Sequence, residues 1–132
     1  MHLSVISGNL YNYINVYVKA ADASWARLKV INNNLANVST PNFKRSDVEF
    51  EGFLAKELRG SGNLDERIRK VNLDRLDYSV YADNTELSYR KDGNNVDIDV
   101  ETTYQTETQL KYKALMDSIT NEFSRIRTVL NK

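Results

Sequence analysis

The chain has 132 residues, in which 18 lysines and arginines balance 18 aspartates and glutamates, and it contains no cysteine. Because the two signs of charge are interspersed from end to end, the composition argues against a surface dedicated to nucleic acid or to an anionic membrane. Disulfides and thiolate metal sites are excluded, no run of about twenty apolar residues predicts a membrane helix, and the N-terminus lacks the features of a cleaved secretion signal.

A long amphipathic helix is predicted first along the chain. Apolar residues recur at alternating steps of four and three, the spacing of a coiled-coil seam. A helix over residues 12–37 would span roughly 39 Å and therefore needs a partner of similar length. The residues of this seam are Ile14, Val18, Ala21, Trp25, Leu28, Asn32 and Leu35.

A stop signal follows the first helix. Pro41 lacks a backbone donor and pushes Thr40 out of the helical region, so the helix is predicted to end by about Val38. Asn37 can adopt the left-handed conformation that closes many helices, and Ser39 and Thr40 can hydrogen-bond the backbone groups freed at the helix end. A turn is predicted over residues 38–44.

The middle of the chain predicts short elements. Asp47 is a candidate N-cap for a short helix that ends at the glycines of residues 60–62. Residues 63–84 alternate only partially, so any strands there are predicted to be short. Asp92 and Gly93 predict a tight turn in a small hairpin. The predicted apolar stripe of the short helix is Phe50, Phe53, Leu54 and Leu58, and the hairpin would place Leu87 and Tyr89 opposite Val96 and Ile98.

A second long helix is predicted at the C-terminus. Asp97 or Asp99 can cap its start, and Glu101 suits the positive end of the helix dipole. A four-and-three pattern recurs at Tyr112, Met116, Ile119, Phe123, Ile126 and Leu130, widened by Leu115 and Val129.

These elements predict a mainly α fold. Two long antiparallel terminal helices would form a coiled-coil-like pair, joined by a middle segment with a short helix and a small irregular, β-containing part. The predicted divisions are 1–44, 45–95 and 96–132. Helix pairing or subunit contact is predicted for Ile14, Val18, Trp25, Leu28, Leu35, Tyr112, Leu115, Ile119, Phe123, Ile126 and Leu130.

Further apolar residues of the first helix lie outside its seam. Exposed apolar stripes mark interaction sites, which favours contact with neighbouring chains. The alternative is a bundle in which the middle segment covers them. These residues are Leu10, Tyr11, Tyr13, Tyr17 and Ile31.

The sequence fits none of the calcium, dinucleotide or catalytic nucleophile motifs that its residues suggest. The acidic run over residues 92–99 fails the calcium loop, because Gly93 is second rather than sixth and position twelve is Thr103. Gly60 and Gly62 lack the third glycine of a dinucleotide site, and no nucleophile motif occurs. We therefore predict no enzyme, no cofactor and no metal.

Three segments resemble the bacterial flagellar basal-body rod protein family. The turn residues are similar to the A-N-x-x-T-P-G-Y-K motif of flagellar rod and hook proteins, with Asn42 in place of Gly. Residues 92–99 resemble the family's D-G-N-x-V-D-x-[DE] element, and residues 97–101, 107–115 and 123–127 resemble its proximal-rod members. The motif residues are Ala36, Asn37, Thr40, Pro41, Phe43 and Lys44, where Phe43 replaces Tyr.

The resemblance implies a structural subunit of the proximal rod that assembles into a helical, torque-transmitting tube. It implies export through the flagellar type III system without a cleaved signal, and a place in the basal body on the periplasmic side of the inner membrane. Implied partners are copies of itself, FlgC and distal rod proteins, the adaptor FliE, and the inner-membrane ring and export gate. A helical adaptor or export chaperone is the alternative; a peptidoglycan-acting enzyme would need a carboxylate pair in a cleft.

Overall fold

The computed structural model describes the backbone of residues 2–84 and 90–131 and the side chains of residues 11–84 and 90–131. Within them the chain forms, in order, helix α1 (His2–Ala36), strand β1 (Ser46–Glu49), helices α2 (Glu51–Glu57) and α3 (Leu64–Arg69), strand β2 (Ser79–Ala82) and helix α4 (Ile98–Leu130). The fold is mainly helical, as predicted. None of the helices in these ranges has an apolar stretch long enough to cross a membrane.

The two long helices lie side by side and antiparallel. Asn32 of α1 accepts a hydrogen bond from Gln105 of α4 at 2.8 Å, and the Trp25 and Tyr112 rings lie 5.6 Å apart, centroid to centroid. Residues earlier in α1 therefore lie beside residues later in α4, as in an antiparallel pair. Asp97, one of the two predicted caps, begins α4 by accepting hydrogen bonds from the backbone N–H groups of Asp99 and Val100.

The middle segment packs along one side of α1. A buried core joins Val16, Ala20 and Ala23 of α1 to Phe50, Ile68 and Leu76, and Leu115 of α4 packs against it. The small alanine side chains of α1 let this segment approach closely. The middle segment therefore covers one side of α1, as in the bundle that was the alternative to contact with neighbouring chains.

Some of the apolar residues of α1 outside the predicted seam are buried within the chain, and one of them is exposed to solvent. Ile31 is fully buried and Tyr13 packs against the core, whereas Tyr11 is exposed. The side chain of Leu10 lies outside the described residues.

The two strands form a small antiparallel sheet in which Ser46 faces Ala82 and Glu49 faces Ser79. Residues 63–84 therefore contain one strand, which is short, as expected of any strand there, and its partner was not predicted. Asp47 was wrongly predicted to cap α2. It lies in β1 and its carboxylate accepts from the next N–H, that of Val48, while α2 begins after Phe50 without a side-chain cap.

The predicted hairpin near Gly93 is only partly testable. Leu87 and Tyr89 lie outside the described residues, and Ile98 belongs to α4 rather than to a strand. The tight turn itself is present, because Gly93 has a φ of 76°. Val96 is buried and leads directly into the cap of α4.

Candidate assembly site

The turn after α1 is held by side-chain amides. The Asn37 Nδ2 group donates to the Asn33 carbonyl at 2.8 Å, and the Thr40 hydroxyl donates to Asn37 Oδ1 at 3.1 Å. Asn37 therefore closes the helix through its side chain and not through the left-handed conformation. Among the described non-glycine residues only Asn42 has a positive φ, 61°, which asparagine tolerates better than most residues.

The segment before α4 is hydrogen-bonded to this turn. Asn94 is fully buried, and its Nδ2 group donates to the carbonyls of Asn37, Val38 and Thr40 at 2.8–3.0 Å. The Asn42 N–H donates to the Asp92 carbonyl at 2.7 Å. Two stretches that are distant in sequence, both of which resembled the same family, therefore form one structural unit.

The remaining motif residues lie at the surface of this unit. Ala36, Pro41 and Lys44 are exposed and Phe43 is half-buried. The Lys44 ammonium donates to the Gly93 carbonyl, and the Arg90 guanidinium donates to the Val38 carbonyl at 2.6 Å. These contacts fix the direction in which the chain leaves α1.

A buried polar cluster lies directly beneath the turn. The side chain of Glu101 is completely buried and accepts hydrogen bonds from Arg45 Nε and from Asn34 Nδ2. Arg45 also donates to Asp83, close to β2. Since Asn34 belongs to α1 and Glu101 to α4, this cluster ties both long helices and the small sheet together.

The electrostatics of the cluster favour the charged form of Arg45. Burial opposes the charge on Arg45, but the hydrogen bond and the negative charge of Glu101, with help from Asp47 and Asp83, raise the pKa of Arg45 above its usual value. The guanidinium therefore stays charged although it is buried. Breaking one side of such a pair is costly, because the other charge is left without its partner.

A second ionic cluster lies further along the helices. Arg27 of α1 donates two hydrogen bonds at 2.8 Å to Glu51 of α2, and Lys111 of α4 donates to the same carboxylate at 2.8 Å. The hydrogen bond from Arg27 outweighs burial and, with that from Lys111, holds the pKa of Glu51 well below its usual value of 4.5. The cluster is half-exposed and links three helices.

The opposite side of the helix pair carries two exposed apolar rows. Members of each row are seven residues apart and so lie along one side of their helix. Continuing the antiparallel register of Trp25 with Tyr112 places Ile119 and Ile126 between the rows, half-buried. We call this surface the open face; its rows are Tyr11, Val18 and Trp25 on α1 and Met116, Phe123 and Leu130 on α4.

The open face is apolar but uncovered within the described residues. Trp25 is 51% exposed, Phe123 52% and Leu130 76%. Large apolar side chains at this exposure on both sides of one groove form a continuous patch, which soluble monomers rarely leave uncovered. Two apolar rows at heptad spacing are the pattern against which a further amphipathic helix packs.

The other predicted contact residues are distributed between the two sides of the pair. Ile14 is buried, Leu115 packs against the core under the middle segment, and Leu28, Leu35 and Tyr112 are half-buried. Their role between subunits stays a prediction.

Sequence reasoning missed the buried polar cluster. Glu101 was assigned to the helix dipole, while Arg45, Asn34 and Asp83 received no role. A helical period marks apolar faces, and a buried ion pair between distant residues leaves no such trace. The strand β1 did leave a signal, because Val48 and Phe50 alternate with the charged residues Asp47 and Glu49.

The chain resembles known proteins over nearly its whole length. A family model described as flagella basal body rod protein matches residues 14–44. The flagellar basal body rod protein FlgB of Bacillus subtilis strain 168 is 35% identical over 130 residues, which is 97% of each chain. FlgB of Borreliella burgdorferi is 32% identical over 114 residues, 79% of this chain and 84% of the relative. The flagellar hook protein FlgE of Treponema pallidum is 30% identical over 80 residues, 57% of this chain and 17% of that protein.

These similarities confirm the family inferred from the three sequence segments. They confirm a structural component of the flagellar basal body rod rather than an enzyme, and membership implies assembly with other rod and hook proteins. The chain belongs to the flagellar basal body rod protein family and, within it, to the FlgB proteins.

Proposed function

We propose that this chain is a proximal-rod subunit that assembles through its open face with neighbouring subunits into a helical tube that transmits torque. The observation that carries the proposal is the pair of exposed rows on adjacent sides of two antiparallel helices. Each row continues the coiled-coil spacing predicted from the sequence, which favours coiled-coil-like packing with a neighbour's helix.

The rest of the fold supports the assignment of the open face to contacts between subunits. The middle segment covers the other side of α1, so the open face is the side left for a neighbour. The buried cluster of Asn34, Arg45 and Glu101 holds one end of the helix pair in register. A contact between different patches of successive subunits propagates as a helix when the rotation between subunits does not close into a ring.

The family resemblance supplies the expected partners and route. We propose that the subunit is exported unfolded by the flagellar type III system without a cleaved signal and assembles on the periplasmic side of the inner membrane. Its neighbours would be copies of itself, FlgC and distal rod proteins, the adaptor FliE, and the inner-membrane ring and export gate.

Phe123→Asp tests the proposal, with Ser124→Asp as the matched control. Phe123 lies on the open face, whereas the exposed Ser124 is turned about 100° away from it around α4. A carboxylate that is buried without a partner on assembly is costly. In cells carrying only the variant, we expect Phe123→Asp to be exported but to form no rods, and Ser124→Asp to form rods and support swimming. Normal rods with Phe123→Asp would contradict the proposal.

A further inference from the structure

The two outer edges of the small sheet differ in whether side chains hydrogen-bond to their backbone groups. On the outer edge of β1, Asn34 both donates to the Ser46 carbonyl at 2.8 Å and accepts from the Ser46 N–H at 2.9 Å. Arg27 donates to the Val48 carbonyl at 2.6 Å, and the Asp47 carboxylate accepts from the Val48 N–H at 2.7 Å. Side chains therefore satisfy the backbone groups along this edge.

The outer edge of β2 has no such cover. The Asp83 N–H donates to the Arg45 carbonyl, and ladder bonds repeat every second residue. The inner bonds of β2 are therefore those of Ser79 and Tyr81, and the N–H and C=O groups of Val80 and Ala82 point outward. Within the part of the chain that the structure describes, these outward groups have no hydrogen-bond partner.

The sequence of β2 also lacks the usual protection of a sheet edge. Natural edges carry charged side chains, proline or bulges that discourage pairing. Ser79–Ala82 contains no charge, no proline and no glycine, and Val80 is 54% exposed. A two-stranded sheet is marginally stable alone and gains from a third strand.

The charges around the sheet specify the partner. Residues 46–49 and 77–83 contain four carboxylates and no basic side chain. Asp47 and Asp83 are paired with Arg45. Glu49 and Asp77 accept only backbone N–H groups within the described chain, and both lie at the Ser79 end of the sheet, because Glu49 faces Ser79.

We infer that the outer edge of β2 binds an extended segment of a different rod or hook protein, which adds a third strand and places a lysine or arginine near Glu49 and Asp77. The inference rests on the proposed function, since it takes the partner from the surrounding rod. A second copy of this chain fits less well. The free β2 edge of a second copy would bring more carboxylates and no basic side chain. Among its other described segments, 37–45, 70–78 and 90–97 are held by their own turns and by contacts with the rest of the fold.

Amide hydrogen exchange over residues 78–83 tests the inference. In purified chain the Val80 and Ala82 amides should exchange rapidly at every protein concentration. In intact basal bodies they should exchange slower by roughly tenfold or more, because strand pairing protects them. Equal rates in the two samples would overturn the inference. Protection that grows with the concentration of the chain alone would also overturn it, since the partner would then be a second copy.

Val80→Pro removes one outward N–H while leaving the inner ladder intact, and an edge strand tolerates proline. Val80→Thr keeps the N–H and the branched shape and is the control. Both variants should keep the circular dichroism of the parent, but Val80→Pro should yield at least about tenfold fewer basal bodies, equivalent to roughly 1.4 kcal/mol. Equal yields from the two variants would refute the edge contact.

A double variant tests the role of the two carboxylates, and comparison of Phe123→Asp with Val80→Pro separates this inference from the proposed function. Glu49→Gln with Asp77→Asn should lower the yield of basal bodies without changing exchange in the purified chain, and an unchanged yield would overturn the role of these charges. If Phe123→Asp fails to assemble while Val80→Pro assembles normally, the edge inference falls and the proposed function stands. Normal assembly of Phe123→Asp would instead remove the proposed function.

Discussion

The fully buried carboxylate of Glu101 allows a quantitative prediction about what holds the helix pair in register. Glu101→Ala removes the charge that faces Arg45 Nε and the acceptor of one Asn34 hydrogen bond. Breaking a buried ion pair from one side costs about 3–5 kcal/mol. Asp83 and Asp47 remain beside the guanidinium, so we expect the lower end, about 3 kcal/mol, a large part of the roughly 5–15 kcal/mol that stabilises a domain.

Urea unfolding followed by circular dichroism measures this change. Glu107→Ala is the matched control, because Glu107 is exposed on the same helix and surface substitutions usually change stability by no more than about 0.5 kcal/mol. Arg45→Met combined with Glu101→Leu removes both charges and should be less destabilised than Glu101→Ala alone. If Glu101→Ala behaves like Glu107→Ala, the cluster does not hold the helices.

Three further sets of variants test the turn, the ionic cluster at Glu51 and the helix seams. Asn42→Ala should lose about 1 kcal/mol in urea unfolding while Asn42→Gly stays near the parent, because the positive φ disfavours a Cβ. The lowered pKa of Glu51 means that its contribution is present above pH 4.5 and is lost as the pH falls further. The difference between the urea midpoints of the parent and Glu51→Gln should therefore be largest near pH 7 and should shrink steadily as the pH falls below 4.5. Leu28→Asp and Ile119→Asp should each be exported yet form no rods, as electron microscopy of basal bodies would reveal.

The two long helices and the turn after the first one could be predicted because their causes are local. The four-and-three spacing of apolar residues specifies an amphipathic helix, and Pro41 specifies where the first one ends. The positive φ of Asn42 lies where the family motif that the turn resembles carries glycine, the residue that adopts such a φ most readily. In each case the signal lies within a few residues of the structure that it predicts.

Which side of α1 the middle segment covers could not be predicted in the same way. Spacing predicts that a helix has an apolar side, but α1 is apolar on more than one side. Val16, Ala20 and Ala23 bind the middle segment, whereas Tyr11, Val18 and Trp25 stay open. Which side is covered depends on where the residues after the turn return, and that is a property of the whole fold.

The buried polar cluster was hidden for a related reason. Arg45 and Glu101 are 56 residues apart, and a charged residue near a helix start is ordinarily solvated. Only the approach of both long helices to β1 excludes water from the pair. Sequence reasoning could identify Glu101 as an acid suited to the helix start but could not identify its partner.

Imaging intact basal bodies at side-chain resolution tests the central claim most directly. We expect a helix from an adjacent subunit to occupy the groove between the two rows and to bury Trp25 and Phe123 in the assembled rod. Basal bodies in which this groove faces solvent, with both rings as accessible as in the isolated chain, would contradict the account.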